Sequence, residues 1–169
     1  MLRAFLFDRD GVVIKNYGYF CDKKKIKWLK GSIQAIKILN TKKIKVIIIT
    51  NQSGIGRGYF TEKKLLDFHN SMNLFLKKKK AKIDKFYYCP FHPLSSIKKY
   101  KKKTNMRKPG NGMILKALRH YKIKAENCFM IGDQRSDYLS AKKTNIDFEY
   151  KKKYRLDLQI KKILKSKNI

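Results

Sequence analysis

Acidic residues are scarce in this chain. Twelve aspartates and glutamates stand against 43 lysines and arginines in 169 residues, a formal net charge of +31 at pH 7. Arginine is scarce too, at seven residues against 36 lysines. Base-edge and bidentate phosphate recognition favour arginine, so the charge alone does not make a nucleic-acid reader, and nucleic acid is not the expected partner. The lysines fall in every segment (Lys23–Lys25, Lys42-Lys43, Lys77–Lys80, Lys101–Lys103, Lys151–Lys153). With abundant Ile, Asn, Phe and Tyr, this reads as a genome-wide bias toward adenine and thymine. Such a solvated coat still draws in small phosphorylated anions and raises on-rates. Cysteine is scarce as well: Cys21, Cys89 and Cys128 are an odd number without framework spacing, which excludes a disulfide scaffold and fits a cytoplasmic protein. No apolar run reaches membrane-spanning length, and the first residues enter a core strand directly, so neither a membrane span nor a signal peptide is expected. A chain of this length buries a core without disulfides or metal. One domain is expected over 1–169, with about 150–169 as a basic C-terminal extension, and the protein is expected to be a monomer.

What the chain does contain is Phe5-Leu6-Phe7, a short apolar run ending in Asp8-Arg9-Asp10-Gly11. Such a run reads as a buried strand of a parallel sheet, and ligands in open α/β sheets bind beyond the carboxyl ends of the strands. A lone D-x-D is equally well a polar strand end. Two more runs end in the same way, however. Val46–Ile49 stops at Thr50-Asn51-Gln52-Ser53-Gly54, and Cys128–Ile131 stops at Gly132-Asp133-Gln134-Arg135-Ser136-Asp137. Helical spacing separates them at Ser32–Leu39, from Thr61 to Leu76, and at Met113–Tyr121. A further strand is expected from Ile83 through Tyr88. After a short strand near Phe148, Leu156, Ile160, Ile163 and Leu164 follow at helical spacing. The fold class is therefore α/β, a three-layer Rossmann-like arrangement with a central parallel sheet and three polar clusters converging on one edge.

Clustered aspartates make a hard-oxygen site suited to magnesium, which keeps waters and uses substrate phosphate as a ligand. Thr50, Ser53 and nearby amides can donate to phosphate oxygens, and Lys108 can neutralise their charge. An aspartate can act as nucleophile and form an aspartyl-phosphate. A second one, two residues on and on the same side of an extended strand, is placed to protonate the leaving oxygen and then activate water. Phosphoryl transfer needs mainly such positioning and electrostatics.

Asp8-x-Asp10-Gly11, the strand ending in Thr50, Lys108, and Gly132-Asp133-x-x-x-Asp137 resemble the four motifs of the haloacid-dehalogenase-like phosphohydrolases. More narrowly, Phe7-Asp8-Arg9-Asp10-Gly11-Val12, Gly18-Tyr19, the stretch Thr50–Glu62, Tyr87-Tyr88-Cys89-Pro90-x-His92-Pro93 and Arg107-Lys108-Pro109-x-x-Gly112-Met113 resemble the D-glycero-D-manno-heptose 1,7-bisphosphate 7-phosphatases and the similar histidinol-phosphatase domains. The resemblance runs from about Leu2 to about Ile146. It implies Asp8 as nucleophile and Asp10 as general acid/base. It places magnesium on Asp8, the carbonyl of Asp10 and Asp133, and the phosphoryl group on Thr50 and Lys108. Substrate contacts are implied for Asn16, Tyr17, Gly18, Tyr19, Thr50, Asn51, Gln52, Ser53, Arg107 and Lys108, with Arg107 suited to a distal phosphate. Asp137 is expected to orient the site rather than bind metal. The implied substrate is a small sugar phosphate, the heptose bisphosphate first.

The chain departs from this pattern in places. Many members hold zinc with a C-x-H pair and a C-x-C pair ahead of R-K-P; the matching positions here are Cys89, Phe91, Thr104 and Met106. Structural zinc needs four N/S ligands, so zinc is not expected. Gln134 stands where a lysine is common, Asn16 where an acid is common, and Val12 where threonine is usual. No long insertion follows Asp10 or Thr50, so the resemblance implies a capless member. Three other readings stay open: a histidinol-phosphatase, a polynucleotide 3′-phosphatase using the basic surface, and a non-catalytic basic binding protein. Trp28 reads as a packing residue and His69 as a surface or packing residue.

Overall fold

In the computed structural model, which describes residues 1–169, Ala4–Phe7 form β1, four consecutive buried residues at the centre of the sheet. Four further strands follow: β2 (Lys45–Asn51), β3 (Lys85–Cys89), β4 (Cys128–Gly132) and β5 (Asp147–Tyr150). All pairings are parallel, in the order β3-β2-β1-β4-β5. Five helices connect and flank them: α1 (Ser32–Thr41), α2 (Glu62–Lys78), α3 (Gly112–Tyr121), α4 (Arg135–Lys142) and α5 (Leu156–Ser166).

Successive strand residues point to opposite faces, which sorts the core into two clusters. Phe5, Phe7, Val46 and Ile48 pack with Ile36 and Leu39 of α1, Phe68 and Met72 of α2, and Leu156, Ile160 and Ile163 of α5. Ala4, Leu6, Ile47 and Ile49 meet Met113, Ile114 and Ala117 of α3 and Ala141 of α4 on the other face. Each fully buried aliphatic or aromatic side chain here contributes roughly 1.5–3 kcal/mol. The three-layer arrangement expected from the apolar runs is the one observed. The chain runs outward from β1 through β2 to β3, then returns to the other side of β1 as β4. The crevice at that reversal lies between the carboxyl ends of β1 and β4, where doubly wound folds bind ligands.

The segment after 150 packs on the body. Gln159, fully buried, donates Nε2–H to Glu149 Oε2 at 3.0 Å and to the Tyr150 carbonyl at 2.9 Å, and its Oε1 accepts from Lys152 N. The α2 start follows the sequence: Thr61 Oγ1 accepts from Lys64 N–H at 3.2 Å as an N-cap. Two elements differ from expectation. β3 begins at Lys85 rather than Ile83, because the Asn73 side chain takes both the N–H and the carbonyl of Ile83. α4 was not foreshadowed by apolar spacing, since its inward residues are Asp137, Ser140 and Ala141.

Candidate active site

Asp8 follows β1 and still donates its N–H to Ile131 of β4 at 3.1 Å. The strand has ended, so Asp10 reaches the site from a turn rather than from an extended strand. Asp8 Oδ1 accepts from Arg9 N–H at 2.7 Å and faces Lys108 Nζ at 3.0 Å. Lys108, itself buried, meets Asp137 Oδ1 at 2.5 Å and donates to the Ile49 carbonyl at 2.8 Å. Burial pushes the Asp8 carboxyl up to about 7; Asp137 and Asp10 add to the rise and Lys108 opposes it. Burial works against the Lys108 ammonium, but Asp8 and Asp137 outweigh it and raise its pKa. Asn51 places this lysine: its side-chain Nδ2–H donates to the Lys108 carbonyl, and its Oδ1 accepts from Lys108 N–H, both at 3.0 Å.

Asp10 is clamped from two sides. Arg9 donates from Nε to Oδ1 at 3.1 Å and from Nη2 to Oδ2 at 2.9 Å, and Gln52 Nε2 donates to Oδ2 at 3.0 Å. The same Gln52 amide reaches Thr50 Oγ1 at 2.9 Å, which ties the β1 and β2 clusters together. Asp8, Asp10, Asn16, Gly18, Tyr19, Thr50, Asn51, Gln52, Ser53, Arg107 and Lys108 line one cavity of about 260 Å³, completed by Gly54, Gln134 and Ser136. Tyr17 is not among the lining residues; it is exposed, with its ring 5.2 Å from that of Phe20. Two larger clefts lie elsewhere. One, of about 610 Å³ around Asn73, Lys77 and Asp84, brings no catalytic set together. The other, of about 620 Å³, adjoins Arg107 and Lys108 and is rimmed by Lys102, Lys103 and Lys143.

Asp133 sits just beyond β4. Its Oδ2 accepts from Gln134 Nε2 at 3.0 Å, while its buried Oδ1 has no hydrogen-bond partner. Burial raises this carboxyl above the ordinary range. Gly11 lets the β1 turn come close: its φ is +86°, and a Cβ there would lie 2.3 Å from Asp133 Oδ2. Carboxylate oxygens of Asp8, Asp133 and Asp137 fall within 4.8 Å of one another. Asp137 is already engaged, because its Oδ2 accepts from Asp133 N at 3.1 Å and Gln134 N at 3.0 Å and its Oδ1 pairs with Lys108. The orphaned oxygen of Asp133 beside Asp8 is therefore the donor free for a hard divalent cation, and the residues present fit one.

The family model described as polynucleotide kinase 3 phosphatase matches residues 3–161. The chain belongs to this family. Among curated proteins, it is 36% identical over 137 residues to the D-glycero-β-D-manno-heptose-1,7-bisphosphate 7-phosphatase of Haemophilus influenzae, covering 81% of this chain and 74% of that one. Identity to the enzyme of that name from Rhodopseudomonas palustris is 38% over 143 residues, covering 85% and 79%. Among solved structures, a HAD-like phosphatase from Mesorhizobium loti superposes with a TM-score of 0.81 at 27% identity, covering 86% of this chain and 69% of that one. The D,D-heptose 1,7-bisphosphate phosphatase from B. bronchiseptica, complexed with magnesium and phosphate, gives 0.79 at 24% identity over 98% and 99%. That likeness is one of fold.

Within this family of phosphatases, the loop between β3 and α3 is secured here by side chains. Cys89 is buried, and burial pushes its thiol pKa up. Glu62 at the start of α2 accepts from Tyr100 Oη at 2.6 Å and Tyr88 Oη at 2.7 Å, which holds its carboxyl below the usual range. Lys102 Nζ lies 4.0 Å above the Phe91 ring. A hydrogen bond to a charged group contributes about 1.5–3 kcal/mol. Tyr100→Phe is expected to lower unfolding stability by that amount and to expose 98–103 to trypsin. Urea titration with limited proteolysis checks this, and an unchanged midpoint and cleavage pattern would refute the tether. The residues that sequence reading missed were Arg9, whose fork sits on its chain neighbour Asp10, and Asn51 in its role as a backbone bracket.

Proposed function

We propose that this protein is a magnesium-dependent phosphomonoesterase that removes the 7-phosphate of D-glycero-β-D-manno-heptose 1,7-bisphosphate, working as a cytoplasmic, single-domain monomer. The observation that carries the reading is Asp8 paired with Lys108 at the cavity and gathered with a partly unpartnered Asp133 carboxylate within 4.8 Å, in a chain whose curated relatives bear that enzyme's name. No helix is long and apolar enough to cross a membrane.

In this mechanism Asp8 attacks phosphorus and the ester P–O bond breaks, with Asp10 giving its proton to the leaving oxygen. Asp10 then takes a proton from water, whose oxygen attacks phosphorus and releases Asp8. Thr50 and Lys108 hold the phosphoryl oxygens, and Arg107 faces the distal phosphate. Asp8, the Asp10 carbonyl and Asp133 would hold magnesium, which supplies charge neutralisation at the phosphoryl group. The basic cleft rimmed by Lys102, Lys103 and Lys143 favours a second reading, hydrolysis of a phosphorylated DNA 3′ end. The dispersal of lysine over the whole chain weighs against it.

The test is phosphate release with magnesium from three substrates in parallel: the heptose bisphosphate, histidinol phosphate and a 3′-phosphorylated oligonucleotide. The bisphosphate is expected to lead by a hundredfold or more in kcat/KM, about 2.7 kcal/mol of transition-state discrimination. Preference for the DNA end would overturn the sugar-phosphate assignment.

A further inference from the structure

His69, on α2, is a buried titratable side chain outside the cavity lining, and the reaction described above does not use it. It is 3% exposed, stacked on Phe86 at 4.1 Å with 11° between the planes, with Phe68 edge-on at 6.2 Å. Its Nε2 lies 3.1 Å from Arg9 Nη1. Arginine carries donors only, so Nε2 is the acceptor and the ring proton sits on Nδ1. Burial first, and the Arg9 cation second, push the histidine pKa down to about 2, so the ring stays neutral.

Arg9 is 1% exposed and divides its fork between two partners. Nε and Nη2 go to Asp10, Nη1 goes to His69, and the guanidinium rests 4.9 Å over Phe68. The Phe68 face fixes the guanidinium plane but not its rotation within that plane. The bond to His69, opposite the two to Asp10, anchors the other side of the fork against that rotation. A packing role alone would be served equally by an aromatic ring without an acceptor, yet such a ring would leave a buried Arg9 N–H unpaired.

We propose that His69 is a positioning residue, which holds the Arg9 fork through Nε2 and so sets the Asp10 carboxyl against the leaving oxygen. This rests on the phosphatase reading above. Proton donation by a positioned acid contributes about 10²–10⁴-fold in rate, and only esters with a poor leaving group need it.

The test uses the full chain with two substrates, the heptose bisphosphate (an alkoxide leaving group) and p-nitrophenyl phosphate (a phenolate that departs without a proton). Wild-type turnover comes first: release from neither ester refutes the phosphatase reading itself. Given turnover, His69→Phe is expected to lose about 30-fold or more in kcat/KM on the alkyl ester. It should lose little in kcat/KM on the aryl ester, because that ratio ends with departure of the phenolate, before Asp10 activates water. His69→Gln, whose Oε1 can stand near the Nε2 position, should restore most of the loss. Equal losses on both esters, or a glutamine variant no better than phenylalanine, would overturn the proposal. Nitrogen-15 NMR of wild-type protein needs no variant to fold. It should show an unprotonated His69 Nε2 with no titration at working pH, and an Nε2–H tautomer would overturn the assignment.

Discussion

Asp8→Asn is expected to remove turnover to background, a loss on the order of 10⁶-fold as for other nucleophile deletions, in a protein that remains folded. The amide keeps the volume and can still accept from Arg9 N–H and Lys108, so the packing at the end of β1 survives. Phosphate release from the purified variant measures the loss, and turnover within a thousandfold of wild type would sink the nucleophile assignment. The same substitution has a signature in stability. The Asp8 carboxyl titrates near 3.8 when unfolded and at about 7 when folded, chiefly because of burial. Between these values the folded state holds a proton that the unfolded state has lost, so unfolding free energy falls as pH rises from about 4 to about 7. In chelator-treated protein that slope should be steeper for wild type than for Asp8→Asn, in which the raised Asp133 carboxyl still contributes, as read by urea titrations across the range.

Lys108→Met is expected to be the most destabilising single change at the site. The lysine is 3% exposed and neutralises Asp8 at 3.0 Å and Asp137 at 2.5 Å, both themselves buried. Removing one partner of a buried ion pair costs about 3–5 kcal/mol, because the remaining charge stays in low dielectric. Protonating a carboxyl relieves that burden, so the loss should be larger at pH 8 than at pH 5.5. Combining Lys108→Met with Asp8→Asn should recover part of it, since two residues in contact do not act additively. A loss below about 1 kcal/mol at pH 8 would show that the pair contributes far less than its burial implies.

The strands that place the site were legible because burial on both faces leaves continuous apolar runs, as at Val46–Ile49 and Cys128–Ile131. Each run stops where the sheet meets the crevice, which is why Asp8, Thr50 and Asp133 could be located from local pattern alone. Contacts between distant segments left no such trace. Asn51 brackets Lys108 across 57 positions, and Tyr100 finds Glu62 across 38. Arg9 was passed over for a different reason: strand alternation sends it away from its acidic neighbours, but the strand ends first and its fork folds back onto Asp10. His69 shares the buried face of α2 with Leu65, Phe68, Met72 and Leu76, so its polarity was the only signal, and polarity does not name a partner.

The docking of α5 sets a schedule for synthesis. The apolar surface that Phe5 and Phe7 of β1 form with Ile36 and Leu39 of α1 is completed by Leu156, Ile160, Ile163 and Leu164 of α5. On the ribosome, this greasy surface stays open until more than a hundred further residues have been joined. Such long-range closure slows folding and leaves nascent chains prone to clump. A chain cut before α5 would therefore keep every side chain that lines the candidate site and still be a poor prospect for recovery in soluble form.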